Sequence, residues 1–444
     1  MTRDMTIKKA ERLEDMIRNF KLQSLDERDF EEFYYNGTMK IRMGNNNNPM
    51  RRLFKDCTMQ IGINNAYLLA GHRGCGKSTE LFDLKQKFVK EYYPVAMVRA
   101  EIDLNLHLAD CWDIMLFVTK ALCEIADENN INLPDATVEA VLDYIKTDIV
   151  ETETIDKDAT IRGEASATAS VNLAYLLKVF LKIKSSLQVG THTRTILTRK
   201  GEQRASEWVM YIKEISDIIA NKMDGKQPII IFEGLDKIQP YDRAFDVFRH
   251  EILAKMPFPV IYSFPMPLIY DSKIATLESL YSISVLPMIK ISNVDKTDNN
   301  EGIDVITQIV EKRASLELFD HNVLTHMIKQ TGGVLRHLFE CIVTASYLAS
   351  WREAEKIEMQ DAEDALSEIY ISLTRLISTQ DNEYLIKIYN DENYRKSIDN
   401  KDDLLNLIGA SVILEYRNGD RWHDLHPLIS KFLENQGVVN EKNN

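Results

Sequence analysis

Residues 71–78 read GHRGCGKS, a run in which three glycines precede a lysine and a serine. The apolar stretch NAYLLA lies immediately before it at 65–70, and apolar side chains recur at helical spacing from Lys77 to Tyr93. A chain that leaves a buried strand and starts a helix within so few residues needs glycine, which adopts tight-turn backbone angles without steric cost. The sequence therefore predicts a strand, a glycine-rich loop and a helix in direct succession.

In that context the pattern G-x-x-x-x-G-K-[ST] predicts a binding site for nucleotide phosphates. Loop N–H groups converge on phosphate oxygens, and the positive end of the helix adds to the attraction. Lys77 supplies a charge for the β- and γ-phosphates, and the Ser78 hydroxyl supplies a ligand for Mg²⁺. We predict that ATP or ADP with Mg²⁺ binds to the loop residues Gly71, His72, Arg73, Gly74, Cys75, Gly76, Lys77, Ser78 and Thr79.

The acid that would complete a magnesium site is expected where a neighbouring strand ends. QPIIIF at 227–232 is followed by Glu233, and Asp236 lies three residues further on. Glu233 is longer than Asp and would reach the ion through a coordinated water, while Asp236 would orient an attacking water. Gly234 stands where many ATPases carry a catalytic Glu. Glu233 takes the place of the shorter Asp, and this replacement predicts slow hydrolysis. The structural alternatives are a solvated strand end for Glu233 and a helix N-cap for Asp236.

Apolar runs alternate with helical segments between residues 60 and 292. Four further strands are predicted, at 94–102, 227–232, 257–264 and 285–291. Uninterrupted apolar strands are typical of a parallel sheet covered on both faces. The prediction is a doubly wound α/β fold of the P-loop NTPase type.

The prediction divides the chain into four parts. An N-terminal helical and loop segment at 1–50 precedes the core at 51–292, and a helical lid at 293–376 follows the core. Residues 377–444 read as a winged-helix domain whose β-hairpin turns at Asn418-Gly419.

An insertion at 133–205 interrupts the core. Within it, 165–200 contains six basic residues and no acidic ones: Lys178, Lys182, Lys184, Arg194, Arg199 and Lys200. Two interpretations stand side by side. The segment is either a solvated hairpin between sheet strands, or a contact surface for an acidic partner or nucleic acid.

Net charge, apolar runs and cysteine spacing indicate which partners and which cellular compartment suit the protein. The net charge is −14, which opposes non-specific binding of nucleic acid by the whole surface. The start of the chain lacks the apolar region of a signal peptide, and no apolar run reaches the roughly 18–20 residues that span a bilayer. Five cysteines without CxxC spacing indicate neither a zinc site nor a disulfide framework. We predict a cytoplasmic protein that does not enter the membrane.

The order of these motifs resembles the STAND branch of AAA+-like P-loop NTPases, whose acid box usually reads DGxD or DDxD. By that resemblance VIYSFP is the sensor-1 strand, with Ser263 near its end. TGGVLRHL at 331–338 resembles the sensor-2 region of the lid, which would aim Arg336 at the γ-phosphate. The plain structural readings are a strand residue for Ser263 and a surface position for Arg336.

RWHDLHPLI at 421–429 resembles the His-Asp motif of the STAND winged helix, where His contacts the β-phosphate of bound ADP. On that alignment His423 is the nucleotide sensor, with Asp424 beside it. His426 is a rival for the same role, and an exposed strand residue beside Trp422 is the structural alternative for His423.

The resemblance implies a switch ATPase that hydrolyses ATP slowly, forms a homo-oligomer in its ATP state and controls a separate effector protein, as many bacterial relatives do in antiviral defence or signalling. One alternative is an ATPase acting on DNA, similar to origin-recognition or transposition ATPases. Residues 380–444 carry 12 acidic and 8 basic residues, so the basic segment 165–200 would have to bind the DNA. Another alternative is a nucleotide-stabilised scaffold with negligible turnover.

Overall fold

A five-stranded parallel sheet forms the centre of the protein. The computed structural model describes residues 8–22, 25, 27–43, 48–61, 64–145, 171–189, 192–396, 402–418 and 420–439. The strand order is β2-β3-β4-β1-β5. The strands are β1 Ala66–Gly71, β2 Val95–Arg99, β3 Ile229–Glu233, β4 Val260–Pro265 and β5 Ser282–Leu286. The parallel α/β fold predicted from the alternating apolar runs is therefore confirmed.

Three central strands are buried on both faces, which explains their unbroken apolar sequences. Every residue of β1, β3 and β4 is buried, because helices cover both sides of a parallel sheet. The prediction was wrong for the last strand, which was placed at 285–291 but runs over Ser282–Leu286. SISVL pairs with β1 although it is only half-buried, so its apolar signal is weaker than that of the buried segment after it.

The helices before and around the sheet position the glycine loop. They are α1 Leu13–Asn19, α2 Glu27–Phe33, α3 Thr38–Met43, α4 Pro49–Met59, α5 Lys77–Lys90, α6 Ala100–Asp103, α7 Cys111–Glu128 and α8 Asp135–Ile145. After the insertion come α11 Tyr241–Phe248, α12 Glu251–Ala254 and α13 Ile274–Glu278, with short 3-10 turns at Leu235–Lys237 and Met266–Ile269.

The basic insertion is helical, not a hairpin. Its described parts form α9 Val171–Val189 and α10 His192–Lys222, which pack against α7 and α8. Residues 146–170 lie outside the described residues. The hairpin interpretation was wrong because apolar side chains recur along α9 at helical spacing, and Leu173, Leu176, Phe180 and Leu187 are buried.

Two basic side chains of this insertion form ion pairs with acidic residues of the core. Lys184 forms an ion pair with Asp103 at 2.6 Å, and Arg194 forms one with buried Asp113 at 2.8 Å. Lys178 and Arg199 are exposed. The cluster of positive charge in the sequence is therefore partly neutralised by acids from the core, which leaves less of it to contact a polyanion.

Arg194 is expected to hold the insertion to the core. Burial and nearby Asp110 raise the pKa of Asp113 to about 6, while Arg194 opposes that rise. Arg194→Met leaves the Asp113 carboxyl buried without its cation, and we expect a loss of about 3–5 kcal/mol in the free energy of unfolding. Urea unfolding followed by tryptophan fluorescence measures it, because Trp112 and Trp208 stack in this layer. The exposed control Lys178→Met should change stability by less than about 0.5 kcal/mol; equal effects would contradict the prediction.

A helical region and a compact C-terminal unit follow the sheet. The helices are α14 Asn300–Glu311, α15 Val323–Gln330, α16 Leu335–Trp351, α17 Met359–Thr374, α18 Asn382–Asn390, α19 Glu392–Lys396, α20 Asp402–Gly409 and α21 Pro427–Asn435, with a 3-10 turn at Leu316–Leu318. Between α20 and α21, strands β6 Ile413–Asn418 and β7 Asp420–Leu425 form an antiparallel hairpin. Gly419 of the predicted turn lies outside the described residues.

No helix in the described part of the chain is both long and apolar enough to cross a membrane.

Candidate functional site

The glycine loop joins β1 to α5 and takes backbone angles that favour glycine. Gly74 has φ of +82° and Gly76 has φ of +92°, both in the left-handed region. A Cβ atom at Gly74 would lie 2.6 Å from the Cβ of Arg336 at the start of α16. Glycine is therefore required at position 74 for two reasons: its backbone angle favours glycine, and the helical region lies too close to leave room for a side chain.

Lys77 at the start of α5 forms a buried ion pair with Asp236, which follows β3. Its Nζ lies 2.6 Å from Asp236 Oδ2 and 3.4 Å from the carbonyl oxygen of Gly71. Burial alone would lower the pKa of Lys77, but the Asp236 carboxylate raises it above its usual value. Burial would likewise raise the pKa of Asp236, yet Lys77 holds it below its usual value. Both groups are therefore charged near neutral pH.

A second pair joins the same two elements and fits magnesium. The Ser78 hydroxyl donates to Glu233 Oε1 at 2.6 Å. Across the described residues, no group of three or more His, Cys, Asp or Glu side chains could hold a metal ion. Mg²⁺ does not need such a group, because it keeps several waters and takes one or two protein oxygens together with phosphates. Ser78 and Glu233 suit that role, and the ion would neutralise phosphate charge between them.

The predicted site residues divide into those that line the cavity at the loop and those that do not. His72, Arg73, Gly74, Gly76, Lys77, Ser78, Thr79, Glu233, Asp236 and Arg336 line it. Gly71, Cys75, Ser263 and His423 are not among its lining residues. Ser263 is buried and accepts a hydrogen bond from the Asp236 backbone N–H at 3.4 Å, so it can act on the site only by positioning Asp236.

The cavity measures about 630 Å³ and carries an excess of positive charge. Nine basic side chains line it: Arg18, Lys21, Arg42, Arg73, Lys77, Arg99, Lys237, Arg313 and Arg336. Five acidic ones line it too: Asp29, Glu80, Glu101, Glu233 and Asp236. In a protein of net charge −14 this excess is local, and it suits a small anion of several charges.

Arg99 lines the cavity but was not predicted as a site residue. This residue ends β2 and pairs in register with Glu233 of β3. The carboxyl ends of parallel strands meet at one edge of the sheet, so the position of Arg99 at the end of an apolar strand was an available signal.

The N-terminal segment was predicted to be helical, but its position over the first turn of α5 was not predicted. Thr38 donates to buried Glu80 at 2.6 Å, and Tyr34 donates to the same carboxylate at 3.3 Å. Arg42 is buried and donates to the carbonyl oxygen of Cys75 at 2.5 Å. No sequence motif carries these contacts, because they join residues that only the folded chain brings together.

The structure does not place His423 at the cavity, which corrects the prediction that it contacts nucleotide. Its side chain is 1% exposed. Its Nε2 lies 2.6 Å from the Tyr270 hydroxyl, and its Nδ1 lies 3.1 Å from the carbonyl oxygen of Arg395. Tyr270 also hydrogen-bonds to the buried Glu415 carboxylate. His423 is buried because this half of β7 is covered on both sides, and its neighbours Trp422 and Asp424 are buried as well.

The loop instead meets the C-terminal hairpin through His72. The backbone N–H of Glu415 donates to His72 Nε2 at 2.8 Å, which places the His72 proton on Nδ1. Burial and nearby His423 lower the pKa of His72 to about 3, so the ring is neutral. A second link runs from the Tyr416 hydroxyl to the carbonyl oxygen of Gly332 at 2.7 Å. The hairpin thus contacts both the loop and the helical region.

The rival histidine, His426, also packs inside the protein. It is the N-cap of α21 and its Nδ1 accepts from the Leu428 N–H, so its Nε2 donates to His337 Nδ1 at 3.0 Å. Burial lowers the pKa of His337 to about 4 and that of His426 well below its usual value. This neutral pair joins α16, which carries Arg336, to the C-terminal unit.

The strand order and the glycine loop together define a P-loop NTPase fold. No protein-family profile and no curated protein matches the sequence. Among solved structures, the chain is similar to Cdc6p of Pyrobaculum aerophilum, with 11% identity, a TM-score of 0.37 and coverage of 93% of this chain and 99% of that one.

Two further structures show similarity of the same order. A Walker-type ATPase of Pyrococcus abyssi has 12% identity and a TM-score of 0.43, with 94% and 99% of the two chains covered. The ORC2 protein of Aeropyrum pernix, in ADPNP and ADP complexes, has 12% identity and a TM-score of 0.37, with 95% and 98% covered. Because these identities and TM-scores are low, the assignment of the P-loop NTPase fold depends on the strand order and the glycine loop of this chain itself.

The neutral histidines predict a loss of stability in acid. The unfolded chain binds protons near pH 6.5, whereas folded His72 and His337 bind them only near 3 and 4. The unfolded state therefore holds more protons between these values, and stability falls as the pH drops from about 6.5 towards 4. Buried Glu80 and Glu415, whose pKa values burial raises, act in the opposite sense.

The histidine contribution is isolated by comparing variants. Thermal unfolding midpoints of the protein and of His337→Asn are measured from pH 7.5 to 4.5. We expect the variant to be less stable at pH 7.5 but to lose less on acidification, because one buried titrating group is gone. Parallel curves for the two proteins would contradict the prediction.

Proposed function

We propose that this protein is a slow switch ATPase that binds ATP·Mg²⁺ in the cavity at the glycine loop. The observation that carries the proposal is the convergence of two pairs, Lys77 with Asp236 and Ser78 with Glu233, beside the loop in a cavity rich in basic side chains. A lysine at the start of a helix, a serine hydroxyl and two acids are the groups that phosphate, Mg²⁺ and an attacking water require.

Each residue has a role that follows from its position. Lys77 exchanges Asp236 for phosphate oxygens when nucleotide enters, and Ser78 with Glu233 holds Mg²⁺. The freed Asp236 carboxylate, still tied to β4 through Ser263, orients the water that attacks the γ-phosphate. Arg336 lines the cavity from the helical region and offers its charge to the γ-phosphate.

Slow turnover follows from the same geometry. Gly234 provides no carboxylate directly after Glu233, and its φ of +93° favours glycine at that position. Asp236 becomes available as a base only when phosphate replaces it at Lys77. Slow turnover of this kind suits a protein that times the change between its ATP-bound and ADP-bound states.

The state would be transmitted to the hairpin through the loop, not through His423. His72 accepts from Glu415 and Gly74 touches Arg336, so a shift of the loop moves both the hairpin and the helical region. ATP-dependent homo-oligomerisation and control of a separate effector protein, possible outputs of such a switch, belong to this proposal. Comparing the mass of the protein with ADP and with a non-hydrolysable ATP analogue by light scattering tests the first of these.

The alternative of an ATPase acting on DNA has less support. Lys184 and Arg194 of the basic insertion are paired with acids of the core, and residues 380–444 carry more acidic than basic side chains. Binding that is strongly salt-dependent and lost on neutralising Lys178 and Arg199 would favour the DNA function instead.

Nucleotide binding is tested first at Lys77. We expect Lys77→Ala to weaken binding of a fluorescent ATP analogue by about 100-fold or more, because the cation for the β- and γ-phosphates is lost. Lys90→Ala, at the exposed end of the same helix, is the matched control and should bind normally. Thermal unfolding identifies any loss of fold, since Lys77→Ala also leaves Asp236 unpaired. Unchanged affinity in folded Lys77→Ala protein would overturn the binding site.

Hydrolysis is tested separately at Asp236. Asp236→Asn keeps the shape of the side chain and removes its charge, so we expect ATP to bind while the turnover rate falls by about 10- to 100-fold. Asp242→Asn is the control, because Asp242 pairs with Lys273 on the surface. Equal phosphate release by Asp236→Asn and the unmodified protein would instead support the scaffold alternative.

A further inference from the structure

A second cavity lies at the open edge of the sheet. It measures about 760 Å³, and its lining includes residues 283–285 of β5 together with residues of α3, of α4 and of the end of β6. Strand β5 pairs with β1 on one side only and is the last strand of the sheet. We call this cavity the edge groove.

The edge groove is basic in an otherwise acidic protein. Its charged lining residues are Lys40, Arg51, Arg52, Lys55 and Arg417 against a single acid, Asp56. Arg52 lies 3.4 Å from Asp56, whereas Lys40, Arg51, Lys55 and Arg417 have no acidic partner in ion-pair range among the described residues. With a net charge of −14 on the whole chain, this excess of positive charge is local to the groove.

The backbone of β5 is available for pairing along the groove. In the described part of the chain, no backbone hydrogen bond joins residues 283–285 to any strand other than β1. Unpaired N–H and C=O groups at a sheet edge are a template for another strand. Proteins often block such edges with charges on the strand itself, but SISVL carries none. The charges stand on neighbouring helices and the hairpin, where they flank the strand without blocking it.

We propose that the edge groove binds an extended acidic segment of a partner protein, which adds to the sheet as a strand beside β5. Backbone hydrogen bonds to β5 would supply the register, and carboxylates of the peptide would meet the basic side chains on the rim. A nucleic acid strand meets the charge requirement but has no peptide groups to pair with β5. The acidic protein as a whole also repels long polyanions.

The experiment uses a fluorescein-labelled peptide of five Glu-Thr repeats and fluorescence anisotropy. Arg51→Glu/Lys55→Glu reverses two exposed charges of the groove. Lys90→Glu/Lys356→Glu reverses two exposed charges elsewhere and changes the net charge equally. We expect the groove variant to lower the affinity for the peptide by about tenfold or more, and the control to bind as the unmodified protein does.

Three outcomes overturn the proposal. One is an equal loss of affinity in the groove variant and the control, since the attraction would then depend on net charge alone. Another is equal binding of a peptide whose backbone is N-methylated at alternate residues, because that peptide cannot pair with a strand. The third is tighter binding of a ten-nucleotide thymidine strand than of the peptide. Nucleotide binding by all variants verifies the fold, and the inference stands whether or not ATP is hydrolysed.

Discussion

The buried ion pair between Lys77 and Asp236 connects the elements of the site. It joins the start of α5 to the turn after β3, two positions that the sheet brings together across an intervening strand, β4. Burying two charges is costly unless their geometry is good, and removing one partner leaves the other unpaired. A polyphosphate can take the place of Asp236 because it offers Lys77 oxygens of greater charge. Nucleotide entry would therefore alter a contact on which the position of Asp236 depends.

Three other parts of the chain touch the same loop. Arg42 binds its backbone from the N-terminal helices, Arg336 lies against Gly74, and the hairpin donates to His72. A displacement of the loop by phosphate would therefore be felt in all three, because packed interiors transmit movement instead of absorbing it. Under the proposed function the loop itself would sense the nucleotide, whereas His423 contacts Tyr270 and the backbone of α19 beneath the hairpin.

The prediction of the parallel α/β fold is confirmed, because its apolar runs are strong local signals. GHRGCGKS and the acids at and just after the end of β3 were expected to lie together because parallel strands end at a common edge, and the structure brings Lys77 to Asp236 and Ser78 to Glu233. The predictions failed where pairing or burial depends on distant residues. SISVL forms a strand only because β1 lies beside it, and the basic stretch 165–200 became two helices with Arg194 turned inward onto Asp113. His423 matched a motif by position, but the packing of β7 turned its ring into the core.

The sequence alone determined the parallel α/β fold and the presence of a glycine loop with its lysine, because both follow from local apolar periodicity and from the unique conformational freedom of glycine. Only the tertiary structure decided which acid faces Lys77, which histidine meets the loop and how the N-terminal helices close over Glu80. The edge groove likewise exists only in three dimensions, since its charges come from three separate segments. Contacts between residues hundreds of positions apart depend on how every element packs, and no local pattern encodes that.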